Sequence, residues 1–247
     1  MIKELLVDAT NLTKKNYMLV IPTIAASLVV GIIGAIVGAV GAARATEFAR
    51  VTAEAAEAGR WAPESLVPAV GVAFGATAIL GIVGAIITLL GHGMTIAMAG
   101  EVVETGSTSL KTGWEKTKPR IVSLVIGSIV VGALVGIGFV FLILPGLVIA
   151  FLLMFTFVVL MTENLGVAAS IQKSIKTALK RPLDTVVFAL AVIAIGFIAG
   201  IINVILGLIP ILGALLVLVV NGIYAGFVSV MIVYIYRQLS EPKAEAE

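Results

Sequence analysis

The chain has no cysteine, a single histidine, and few charges: Asp, Glu, Lys and Arg together make up 12% of its 247 residues. Without cysteine there is no disulfide, no thiolate metal site and no thiol nucleophile, and the redox compartment stays undetermined. One histidine leaves no imidazole pair to hold a metal, and no spacing of residues points to a cofactor. The scarcity of charge excludes an ordinary soluble globular fold. With 60% hydrophobic residues and a mean hydropathy of +1.19, most side chains must face lipid or one another, which is the composition of a polytopic membrane protein. The formal net charge of +2 is too small to support a nucleic-acid partner.

Residues 2–15, IKELLVDATNLTKK, place Ile2, Leu5, Leu6, Ala9 and Leu12 at helical spacing with Lys3, Asp8 and Lys15 turned away. This predicts a short amphipathic helix in the membrane interface. Its charges, and the length of the apolar run behind it, argue against a cleavable signal peptide. The sequon at Asn11–Thr13 has no meaning on a cytoplasmic segment. Residues 16–43 carry no charge, enough for one span. The segment 44–64, RATEFARVTAEAAEAGRWAPE, reads as an outer helix closed by Gly59 and Pro63, with Trp61 at the interface. A second uncharged run covers 65–100, and polarity returns over 101–120, where Leu110 and Trp114 share a helix face.

Residues 121–162 then run for 42 positions without a charge. As one helix they would extend about 63 Å, twice the hydrocarbon thickness. The run must fold back, and Pro145-Gly146 signals the turn. The 52 uncharged residues of 185–236 have their breaker at Pro210 and Gly213. The expectation is an all-α, six-span integral membrane protein. A single transmembrane domain covers 1–236, with spans near 17–43, 67–99, 121–144, 147–162, 185–207 and 212–236, an outer helix near 44–60 and a polar tail, 237–247. Thirteen Lys and Arg then fall on the side of the termini against three (Arg44, Arg50, Arg60) opposite. That bias predicts both termini in the cytoplasm, and the membrane expected is the plasma membrane.

One unit recurs three times, an amphipathic cytoplasmic helix followed by a hairpin of two spans. SLKTGWEKTKP introduces the second unit and SIQKSIKTALKRP the third. A span ending FLLMFTFVVLMTE at Glu163, a short gap, and an amphipathic helix ending at Arg181-Pro182 resemble a broad group of uncharacterised six-helix membrane proteins of bacteria and archaea. That group includes the membrane domain attached to some glycerophosphodiester phosphodiesterases. The resemblance implies a fold and no activity. The catalytic half of those phosphodiesterases has no counterpart here, so no catalytic or metal residue is carried over.

Lys173, Lys176 and Lys180, followed by Arg181, lie on one side of the central helix, with Ala168, Ile171, Ile175, Ala178 and Leu179 on the other. They suit anionic headgroups, at about 1 kcal/mol per cation, or else serve only as positive-inside anchors. His92, between two glycines, is either a proton relay or a side chain bonded to backbone that those glycines free. Asn203 and Asn221 either line a pathway or tie two spans together. Glu163, without a second carboxylate, has a local electrostatic role. GxxxG pairs at Gly34/Gly38, Gly71/Gly75, Gly132/Gly136, Gly196/Gly200 and Gly222/Gly226 predict close helix packing within a bundle or between copies. One histidine and no paired carboxylates argue against an intramembrane enzyme. A membrane-organising or lipid-interacting role fits best, with membrane lipids, a second copy or other membrane proteins as partners. A transporter of small or lipid-like solutes is the alternative.

Overall fold

The computed structural model describes residues 2–57, 66–209 and 212–240. Among these there are ten α-helices and no strand: α1 (Ile2–Lys15), α2 (Ile21–Glu57), α3 (Leu66–Thr105), α4 (Leu110–Thr117), α5 (Ile121–Phe141), α6 (Ile143–Leu153), α7 (Thr156–Thr162), α8 (Val167–Lys180), α9 (Pro182–Gly207) and α10 (Leu212–Ser240). Six segments are long and apolar enough to cross a membrane: Tyr17–Glu54, Ala78–Thr105, Leu110–Phe141, Ile143–Thr162, Pro182–Gly207 and Leu212–Ser240. The protein is an all-α polytopic membrane protein.

The helix ends follow from local chemistry. In α1, Glu4 lies in the first turn and Lys14 and Lys15 in the last, each sign facing the helix end that attracts it. Asn16 stops α1, its amide donating to Leu12 O (3.0 Å) and Gly106 O (3.2 Å). Ser109 caps α4 by accepting from the Thr112 N–H at 3.1 Å. At the end of α8, Pro182 pushes Arg181 out of the helical region (φ −139°, ψ 78°) and then opens α9.

Three boundaries differ from the sequence expectation. No separate outer helix follows the first span: α2 runs unbroken for 37 residues to Glu57, about 56 Å at 1.5 Å per residue. From Ala42 on the sequence is Ala-rich and holds no glycine or proline before Gly59, so nothing stops helix propagation at residue 43. Arg50 reinforces it with ion pairs to Glu47 and Glu54, both 2.7 Å. Gly59, Arg60, Trp61 and Pro63 lie outside the described residues. Second, the break between the third and fourth spans falls at Leu142, which is extended (φ −168°, ψ 154°), and not at Pro145-Gly146. Pro145 sits in the first turn of α6, where its missing N–H has no intrahelical partner to lose. Third, α10 extends through Arg237 to Ser240, so the start of the expected tail is helix; residues 241–247, and Pro210 of the last turn, are outside the described residues.

The chain divides into two compact units, Met1–Ala25 with Leu89–Glu247, and Ala26–Thr88. In the first, Leu5 and Ala9 of α1, Val102 of α3, Phe155 and Val158 at α7, Ala178 of α8 and Ile235 and Leu239 of α10 form one buried core. That core gathers the short helices α1 and α8 and the charged ends of the spans, while the long apolar stretches of α5 and α9 stay largely exposed. In the second unit Ile32, Ile36, Ile79 and Ile82 are all more than half exposed. Such surfaces are what spans present to lipid.

Candidate functional site

The site is built on α8 and the connector before it. On a helical wheel α8 has three faces rather than two. Ser170, Ser174, Thr177 and Ala178 are buried. Lys173, Lys176 and Lys180 form a flank to one side, and Ala168, Ile171, Ile175 and Leu179 a flank to the other. Of the apolar row read from the sequence, only Ala178 is fully buried, and Leu179 is 57% exposed. Small hydroxylated side chains pack instead because they let α8 approach the interrupted fourth span. There α6 ends at Leu153 and α7 begins at Thr156, which leaves backbone groups without helical partners. Ser174 fills the break: its hydroxyl accepts from the Phe155 N–H (3.1 Å) and donates to the Leu152 carbonyl (2.8 Å). Phe155 is fully buried between Phe188 (ring centroids 6.5 Å) and Tyr236 (5.8 Å).

Glu163 ties this helix down. One carboxylate oxygen accepts from the Lys173 ammonium and the other from the Tyr236 hydroxyl, joining the connector to α8 and α10. The next residue, Asn164, has a left-handed backbone (φ 58°), a conformation Asn tolerates better than most residues. Its side-chain oxygen accepts from Arg120, which also donates to the Leu160 carbonyl. Arg237, the one cation of α10, pairs with Glu104 and donates to Gly100 O at 3.3 Å.

Lys173, Lys176 and Lys180 line one open groove of about 360 Å³, with Gln172, Thr177 and Ser240 supplying further polar groups. Lys173 is engaged by Glu163, and Lys180 donates to the Ser240 carbonyl at 3.2 Å. Lys176 has no acceptor among the described residues. Arg181, expected to join them, is not part of the groove wall. No protein-family model, curated protein or solved structure matches the chain.

The other sequence candidates lie elsewhere. Asn203 on α9 donates to Asn221 on α10 at 2.8 Å, so the two intramembrane amides meet each other. His92 is exposed on α3 with no hydrogen-bond partner among the described residues. The helix is unbroken there, so its flanking glycines free no backbone for it. Gly93 serves packing instead, since a Cβ would stand 2.7 Å from Leu124. Of the glycine pairs, Gly222 and Gly226 pack on Ile24 and on Leu19 and Val20, and Gly196 on the Tyr224 hydroxyl. Gly34, Gly38, Gly132, Gly136 and Gly200 have open space within 4 Å, so this chain alone does not use them for packing. The side chains around Gly71 and Gly75 are outside the described residues. In the second hairpin, the close contact of Gly138 with Gly146 is not among the expected pairs; eight residues separate the two, across a turn. No group of three or more His, Asp or Glu able to hold a metal occurs among the described residues. Ser174, Tyr236 and Arg120 escape a sequence reading. The i, i+4 spacing of Ser170 and Ser174 is their one visible trace.

Proposed function

We propose that this is a non-enzymatic, lipid-interacting protein of the plasma membrane, both termini cytoplasmic, that holds anionic lipid headgroups in the α8 groove. The observation that carries this reading is the meeting of Lys173, Lys176 and Lys180 in one open cavity, with Lys176 unpaired among the described residues. The three-faced geometry of α8 supports it. A buried hydroxyl face fixes the helix to the bundle, the Ile171/Ile175/Leu179 flank suits acyl chains, and the lysine flank suits phosphates. One cation near an anionic surface contributes about 1 kcal/mol, so Lys176→Gln is expected to weaken retention of an anionic lipid about fivefold. Mass spectrometry of lipids that co-purify in mild detergent checks this, comparing wild type with Lys176→Gln and with the triple Lys173/Lys176/Lys180→Gln variant. Unchanged anionic lipid in both variants would refute the reading.

Transport is the second reading, favoured by the interrupted fourth span, since broken helices often line substrate pathways. Ser174 already satisfies that break, which weakens the case. A solute retained by wild type and lost on Asn203→Leu, but untouched by the lysine changes, would move the assignment to transport.

A further inference from the structure

We propose a second anion site, independent of the α8 groove, where Lys116 and Arg120 face a cavity between the ends of α3, α4 and α7 and take a phosphate-bearing anion. The cavity is about 240 Å³ and is walled by Gly100 and Glu104 of α3, Lys116 and Arg120, and Thr162 and Asn164. None of these residues belongs to the α8 groove. The connector divides the two: Met161, Thr162 and Asn164 line this cavity and Leu165 the other.

The charge balance makes it cationic. Glu104 is its one carboxylate, and Arg237 already holds it while also donating to Gly100 O. Lys116 is half-buried and has no acceptor among the described residues. An anion in the cavity would supply that acceptor with a charge-assisted hydrogen bond. Arg120 sits one turn further on, in the tight 3-10 turn Lys118–Arg120. Its guanidinium is held by the Leu160 carbonyl and the Asn164 side chain. Those bonds occupy only part of its five N–H donors and fix the plane in which the rest point. The volume is below the ~300–1,000 Å³ of pockets that enclose whole small molecules, which suits a headgroup phosphate or a free phosphate rather than a larger metabolite. The groove reading and this one share a ligand chemistry but no residue, so each can fail alone.

The experiment is native mass spectrometry of the detergent-solubilised protein titrated with short-chain phosphatidylglycerol, with and without inorganic phosphate as competitor. Lys116→Gln is the test variant and Lys116→Arg the conservative one. Lys111→Gln, on the exposed side of α4, controls for loss of charge alone. Arg120 is left intact because it also anchors the connector. The expected result is two classes of bound lipid: Lys116→Gln weakens one about fivefold, the effect of about 1 kcal/mol, Lys116→Arg restores it, and Lys176→Gln affects only the other. Displacement of the Lys116 class by inorganic phosphate would assign a soluble phosphate as its occupant; resistance would assign the lipid headgroup. A Lys116→Gln variant that binds like wild type, or that loses only what Lys176→Gln also loses, overturns the second site. Loss confined to Lys176→Gln would leave the groove standing without it.

Discussion

Ser174 makes two hydrogen bonds that close the gap in the fourth span, and removing its hydroxyl leaves the Phe155 N–H buried and unpaired. Ser174→Ala is expected to cost about 1–3 kcal/mol, read as a lowered melting temperature in detergent. Ser170, one turn earlier, is fully buried with its hydroxyl unpartnered. Ser170→Ala should therefore be neutral or slightly stabilising in the same assay, because it removes a desolvated hydroxyl that gains nothing. Two serines alike in sequence thus separate by what stands opposite them. This is why the lysine flank of α8 was legible in the sequence and its packing face was not. Charge declares itself by position, whereas a hydroxyl's value depends on whether a broken helix lies across from it. The same limit hid Tyr236, which looks like one more apolar aromatic until Glu163 is seen at its tip.

At the scale of elements, the glycines show where pattern and packing part. Small residues four apart recur along the spans, and the sequence predicts contact at each pair. Only some are used. A Cβ on Gly138 would stand 2.8 Å from the Gly146 Cα, a backbone atom that cannot swing aside. Gly138→Ala should accordingly destabilise by about 1–3 kcal/mol, while Gly136→Ala, with open space around it, should stay within about 0.5 kcal/mol. Thermal unfolding of the two variants side by side checks the contrast. Helix existence was legible because long uncharged runs leave no other option in lipid. Helix ends were less so. Proline marked the neighbourhood of the α5–α6 break but took the first turn of the following helix, and an Ala-rich sequence carried α2 past the point where hydropathy falls.

At the scale of the molecule, the six spans follow from composition, while the side on which each loop lies rests on the count of cations. The chain has no cysteine, so single cysteines can be placed without background. Cysteines at Lys14, Lys111 and Lys176 are expected to react with a membrane-impermeant maleimide only once the cytoplasmic face is opened, and one at Arg50 in intact cells. Labelling of Arg50→Cys and Lys111→Cys from the same side would refute the proposed topology. The core that unites the first unit also joins the chain's two ends: α1 packs on α10, and Tyr234 donates to Asp8 at 3.1 Å across 226 residues of sequence. That contact sets an order of events in time. At roughly 5–20 residues per second of synthesis, α1 waits on the order of 10–45 s for the helix that completes its binding face. Throughout that interval its leucines lack their partners on α10. A ribosome that stops before α10 therefore releases a protein whose first helix is only partly docked, so that a loss at one end of the core is felt at α1.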